Sequence, residues 1–412
     1  MRQRKIWMIL DHPHQLAIAL PLASYWKHNF MVNLLISPHP YWREVRLDDY
    51  AGQFDQIVRF QKRPDYVSSL RGSVRLIPEI LRIKEQIKHL GIKQDDVIIG
   101  LSHCTFIENI VLSCTPKNLR IAIIPESEYR EALRRPDWST FQFSRGGLFA
   151  RYLIQPLTGL ERTLRLTCRK QQSSRLGGEP DRFEREIADI YDKVVVLVNL
   201  YEEFGMRNST TVLLPFPYVL TRLGEHNAIQ SQRKKVVFFG SHLDGQPTSR
   251  KEFAKATNEC LSFLRRTYGN TYELVYMPHP QETEVDWKQL DLSRFEIEND
   301  RRLGELYISD NRDSIDAVFS VHSTASRSAV NYGINAYVLF ELFGFDDSSL
   351  QYHYGPYGHL GRQPDCFYIR DLTVAPVRYQ NPERMDYARR VLQERLDSMV
   401  ENGTQVPLRL GE

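Results

Sequence analysis

Tyr272-Glu-Leu-Val-Tyr276-Met-Pro-His279-Pro280-Gln-Glu282 changes character midway. Its first five residues are rich in apolar and aromatic side chains and read as a strand, and the His-Pro that follows cannot continue one. A second stretch repeats the plan. Ala317–Ser320 is strand-like and runs into Val-His322-Ser323-Thr324-Ala-Ser326-Arg327, where small hydroxyl residues open a helix. Both motifs therefore sit where an α/β sheet passes from the C-terminal end of a strand into a loop, the usual place for ligands in open parallel sheets. Free N–H groups at a helix start, beside hydroxyls and an imidazole, form a receptor for an anion such as phosphate. Ser and Thr also cap helices without any ligand, so the turn has a purely structural reading as well.

Outward from these motifs the chain alternates strand and helix. In the first half, Ile6–Leu10, Met31–Ile36, Gln56–Phe60, Val97–Leu101, Ile121–Ile124 and Val194–Val198 read as strands. Leu16–Asn29, Val74–Leu90 (stopped by Gly91), Phe106–Cys114 and Arg182–Tyr191 read as helices. A Pro-rich turn and a polar run then break the rhythm. A second series follows: strand Val236–Phe239, helix Lys251–Tyr268, the two motif strands, helix Ala325–Tyr332, strand Ala336–Phe340 and a charged helix from Pro382. The expectation is an α/β protein with two Rossmann-like domains facing across a cleft. The expected boundaries are 1–215 for an acceptor domain, 216–233 for a linker, 234–381 for a nucleotide-binding domain, and 382–412 for a helix crossing back to the first.

Composition narrows the class. A length of 412 residues accommodates two cores, and a formal charge of +3 gives no argument for nucleic acid. The five cysteines lack CxxC spacing, so neither a disulfide framework nor a zinc site is expected. No HExxH or other metal-ligand pattern is present, nor are the glycine fingerprints of dinucleotide or P-loop sites. No run approaches the roughly 18 apolar residues of a membrane span. A cytoplasmic location is expected, at most peripheral to the inner-membrane surface. The stretch 145–175, which interleaves arginines with apolar residues, is a candidate for such contact and equally an ordinary surface helix.

Other strand ends supply further candidates. Gly240-Ser241 follows the first strand of the second series, where glycine permits close approach of a ligand. Asp11-His12-Pro13-His14 follows the first strand of the chain; Asp11 or His14 is a candidate acceptor-binding group or base, and Asp11 has the plain reading of a helix cap. Glu126 and Glu128 follow another strand and are candidates for deprotonating an acceptor hydroxyl.

Two Rossmann-like units, a His-Pro after a strand of the second and a Ser-Thr turn downstream resemble bacterial GT-B glycosyltransferases that use CMP-activated sugars, the sialyltransferases and Kdo transferases. The resemblance covers the fold plan and two short motifs. It implies that His279, Pro280, Ser323 and Thr324 hold the donor phosphate, with Ser326, Gly240 and Ser241 beside them. It also implies an inverting, metal-independent transfer with no cofactor beyond the nucleotide-sugar substrate, CMP-sialic acid or CMP-Kdo, to a glycan or lipid-linked acceptor of surface polysaccharide. His279 would stabilise the leaving group, and an N-domain carboxylate, Glu126 or Asp11, would be the base. That family carries an acidic pair followed by Gly, which Pro125-Glu126-Ser127-Glu128 departs from. Two alternatives stay open: a CDP-polyol phosphotransferase of teichoic-acid type, and a non-catalytic scaffold with the same fold. A UDP-N-acetylglucosamine 2-epimerase ranks lower, because Ser323-Thr324-Ala325 differs from its Ser-Gly-Gly turn.

Overall fold

The computed structural model describes residues 3–39, 42, 45–60, 70–101, 106–129, 187–188, 190–221, 233–242, 248–298, 303–345 and 360–401. The basic stretch 145–175 and most of the expected helix 182–191 lie outside the described residues. The chain divides into two compact units. The first comprises Met1–Leu197, Gly205–Leu213 and Glu394–Glu412; the second comprises Val198–Phe204 and Leu214–Gln393.

The first unit is built on β1 (Lys5–Leu10), β2 (Met31–Ile36), β3 (Gln56–Arg59), β4 (Val97–Gly100), β5 (Leu119–Pro125), β6 (Lys193–Val198), β7 (Gly205–Met206) and β8 (Thr211–Pro215). Their order in the sheet is β3-β2-β1-β4-β5-β6-β8-β7. The pairs from β3 to β6 are parallel. Continuous apolar runs such as Ile6–Leu10 and Val194–Val198 are buried on both faces, as a sheet covered on both sides demands. Helices α1 (Leu16–Trp26), α2 (Leu70–His89) and α3 (Phe106–Cys114) connect the strands. Gly91, expected to stop α2, does so with φ +63°, the left-handed geometry that glycine takes without a Cβ penalty. The short antiparallel pair β7–β8 was not expected; two residues of strand leave too little pattern to read.

The second unit holds a five-stranded parallel sheet in the order β11-β10-β9-β12-β13. The strands are β9 (Lys235–Phe239), β10 (Glu273–Met277), β11 (Phe295–Ile297), β12 (Ile315–Ser320) and β13 (Asn335–Val338). Helices α4 (Arg250–Tyr268), α5 (Gly304–Asn311), α6 (Thr324–Asn331) and α7 (Pro382–Glu401) accompany it. α4 starts where a capping box predicts. The Ser249 hydroxyl accepts from the Glu252 N–H at 3.3 Å, and the Glu252 carboxylate accepts from the Ser249 N–H at 3.1 Å. β11 and α5 fill the space between the two motifs with one strand–helix pair.

Two boundaries differ from the expectation, for a packing reason. Residues 216–220, expected in a linker, form a buried turn of the second unit in which Tyr218 stacks on Tyr332 with ring centroids 4.5 Å apart. Val198–Phe204, expected in the first domain, is held in the second. The Asn331 carboxamide accepts from the Leu200 N–H at 2.9 Å and donates to the Asn199 side-chain Oδ1 at 3.1 Å. The polar remainder of the expected linker, 222–232, lies outside the described residues.

Candidate functional site

In the second unit the chain runs outward from β9 to β10 and β11, then returns to β12 on the opposite side of β9. The C-terminal ends of β9 and β12 thus flank a topological switch point, where neighbouring loops part and leave a crevice. Three histidines follow the three central strands there: His242 after β9, His279 after β10 and His322 after β12. The His242 and His279 ring centroids are 6.4 Å apart. His279 Nδ1 accepts from the Gln281 N–H at 3.2 Å, so the neutral ring carries its proton on Nε2, available to donate. Burial lowers the His279 pKa and His242 lowers it further. His322 is pushed down to about 4 by burial, with a further contribution from His279.

Ser323 is the N-cap of α6, its hydroxyl accepting from the Ala325 N–H at 3.2 Å. The Ser323 N–H is taken by the Ser320 hydroxyl at 3.0 Å. The Thr324 N–H has no partner among the described residues and stands at the positive end of the helix dipole. The Thr324 hydroxyl donates to Glu305 on α5 at 3.0 Å. Ser326 departs from its expected phosphate role. It is fully buried and its hydroxyl lies 2.8 Å from that of Ser320, so it braces the strand-to-helix turn. The hydroxyl cluster therefore divides, with Ser323 and Thr324 at the loop and Ser326 beneath it.

Gly240 also has a different reason from the one expected. A Cβ there would collide with the Glu282 carboxylate and the Tyr276 hydroxyl. Glycine admits these side chains rather than a ligand. Ser241 beside it is buried, and Pro280 is half-buried. Glu282 receives the Tyr276 hydroxyl at 2.9 Å, and its N–H donates to the His279 carbonyl at 2.8 Å. This ties the His-Pro loop to β10. Burial raises the Glu282 pKa to about 7.

In the first unit, the C-terminal ends of β1, β2 and β5 carry a second cluster. His12 and His14 follow β1, His39 follows β2, and Glu126–Tyr129 form a helical turn directly after β5. Asp11 does not cap the chain's next turn. His12 caps the short 3-10 turn Pro13–Gln15 that leads into α1, accepting from the His14 N–H at 3.3 Å, while Gln15 reaches back to the Asp11 and His12 N–H groups. His12 Nδ1 and His14 Nδ1 are 2.6 Å apart, and His14 Nε2 lies 3.3 Å from Glu128 Oε1. His12 Nδ1 accepts from the His14 N–H, so a hydrogen between the two Nδ1 atoms is carried by His14. His12 stays neutral, its pKa pushed to about 3 by burial, then by His14 and His39. Of the two glutamates, it is Glu128, not Glu126, that meets His14.

The sequence reading passed over His12, His39, His242 and Glu305, and left His322 without a role. One signal could have found the histidines: six of the described ones lie within four residues past the end of a strand. Among the described residues no group of acidic, histidine or cysteine side chains is arranged to hold a metal ion, and no helix is long and apolar enough to cross a membrane.

No family model and no curated protein matches this sequence. Among solved structures the chain is similar to the GT-B domain of a sialyltransferase from Photobacterium damselae, at 12% identity and a TM-score of 0.44 over 82% of this chain and 90% of that one. A UDP-glucosyltransferase from Polygonum tinctorium aligns at 10% identity and a TM-score of 0.46 over 97% and 99%. A UDP-N-acetylglucosamine 2-epimerase from Rickettsia bellii aligns at 10% and 0.40 over 82% and 79%. Likeness at this level carries no assignment of activity.

Proposed function

We propose that this chain is a GT-B-like, inverting glycosyltransferase that moves a sugar from a nucleotide-sugar, a CMP-sugar by resemblance of motif, to a glycan or lipid-linked acceptor. The observation that carries the reading is the crevice edge of the second unit. There His279 offers its Nε2–H past the end of β10, and the Ser323 cap and the Thr324 N–H lie past the end of β12, two strands along, beside His322, with which His279 interacts electrostatically. That is a phosphate receptor built from neutral donors and a helix terminus, and it needs no metal. His279 supports the leaving phosphate. Ser323 and Thr324 orient it, and the Thr324–Glu305 bond opens as the phosphate takes the threonine hydroxyl. A cytoplasmic protein that meets the membrane at its surface belongs to the same reading.

For the acceptor, the proton goes to Glu128. His14 Nε2, 3.3 Å from Glu128 Oε1, fixes the position of this carboxylate. General-base contributions of this kind are worth about 10²–10⁴-fold. Glu128→Gln is expected to lower kcat by that order with donor Kd unchanged. If Glu126→Gln or Asp11→Asn does so instead, the base moves to that residue.

A thermal-shift panel of CMP, CDP, UDP and GDP, followed by transfer assays with CMP-sialic acid and CMP-Kdo, tests the whole reading. Stabilisation by CMP is expected, and His279→Ala should retain less than a tenth of the transfer rate. No shift with any nucleotide would leave a scaffold. Turnover of CDP-glycerol without sugar transfer would make the chain a polyol phosphotransferase.

A further inference from the structure

We propose that His242, His279 and His322 act together as a proton-accepting clamp that grips the phosphate more tightly once it becomes the leaving group. This rests on the donor-site reading above and extends it from one histidine to three, and from binding to the charge change that transfer produces.

The placement comes from the sheet. β10, β9 and β12 are consecutive neighbours, so the residues just past their ends are separated by little more than one or two strand spacings of about 4.8 Å. His242 and His279 are 6.4 Å apart by ring centroid, and His279 interacts electrostatically with both other imidazoles. The surroundings explain how the cluster behaves when empty. His242 faces Asp286, a buried carboxylate already bound to Arg250 and to the Thr283 N–H and hydroxyl. His279 faces His242 and His322, with Glu282 buried behind its loop. His322 faces His279 and lies 6.4 Å from the Phe345 ring. Burial and mutual repulsion therefore keep His279 and His322 neutral, and an anion among them reverses the repulsion.

Transfer supplies that anion in two strengths. In a CMP-sugar the phosphate is a diester with one negative charge. When the acceptor oxygen bonds to the anomeric carbon, the carbon–oxygen bond to phosphate breaks and its electron pair stays on the phosphate oxygen. The acceptor's proton passes to Glu128, and the phosphate, now a monoester, carries a second negative charge. The histidine cluster answers that charge by taking up a proton. The product complex then holds more protons than the substrate complex, and product affinity falls as pH rises.

Calorimetric titration with CMP and with cytidine 5′-methyl phosphate, a diester that stays singly charged and cannot be transferred, tests this directly. Each is measured at pH 7.5, above the monoester's second pKa near 6, in two buffers of different ionisation enthalpy. The expected result is uptake of close to one proton per CMP and less than about half of that for the diester. His242→Gln and His322→Gln are each expected to lower the uptake and to weaken CMP by about tenfold while weakening the diester by less than about threefold. Their unfolding midpoints, measured alongside, should match the parent. Equal uptake with both ligands, or variants that weaken both ligands alike, would overturn the clamp while leaving the donor site standing. Failure of CMP to bind at all would remove the donor-site reading and the clamp with it.

Discussion

Glu282 places a carboxyl where water does not reach, with the Tyr276 hydroxyl as its hydrogen-bond donor. Its folded pKa, about 7, exceeds the ordinary 4.5, so the folded chain holds a proton that the unfolded chain has released. The associated stability is fully present below pH 4.5 and is lost as pH rises through 7. The difference of about 2.5 pKa units corresponds to at most about 3 kcal/mol. Glu282→Gln, which keeps the shape and removes the titration, is expected to flatten the fall in stability between pH 5 and 8 in denaturant titrations. An unchanged pH profile in the variant would show that the carboxyl is not the source. Nothing in the sequence flags this residue beyond its nearness to His279, because a glutamate's burial is set by which side chains close over it.

The turn from β12 into α6 shows how one element divides chemically similar residues. Ser323 and Ser326 are three positions apart, yet one caps the helix at the loop and the other is sealed against Ser320. Ser323→Ala should cost about 1 kcal/mol of stability and also weaken nucleotide binding. Ser326→Ala removes one of the two hydrogen bonds of the buried Ser320 hydroxyl, which keeps the Ser323 N–H, and should cost a similar amount, about 1 kcal/mol, with nucleotide affinity retained. Chemical denaturation and nucleotide titration of both variants separate the roles. If Ser326→Ala loses nucleotide affinity as Ser323→Ala does, the division made here is wrong. At the end of β9, a Cβ at Gly240 has no space beneath Glu282 and Tyr276. Gly240→Ala should therefore destabilise by about 1–3 kcal/mol, through displacement of the His279 loop.

Across the molecule the acid and alkaline limbs of stability have different owners. His12 and His322, with folded pKa values near 3 and 4, are neutral in the fold and bind protons more readily when unfolded. Their contribution is present above pH 6.5 and is lost as pH falls towards those values, opposite in sign to Glu282. His12→Gln and His322→Gln are expected to soften the loss of stability below pH 6, measured by thermal unfolding across pH 4–8. A nucleotide that binds only the folded chain adds about 2.7 kcal/mol when present at 100 times its Kd, which gives the thermal-shift panel its expected scale.

The alternation of strands and helices and the crevice positions of His279 and Ser323 were legible in the sequence. So was the stop of α2 at Gly91. Each depends on residues close together in the chain, through periodicity, caps and turns. What the tertiary structure decided is how those loops are populated. His14 meets Glu128 across 114 positions, Gly240 makes room for Glu282, Ser326 turns inward, and His242 joins His279 from a neighbouring strand. The physical reason is strand order. A sheet that reverses direction at β9 brings distant strand ends side by side, and no local pattern states which ends those will be.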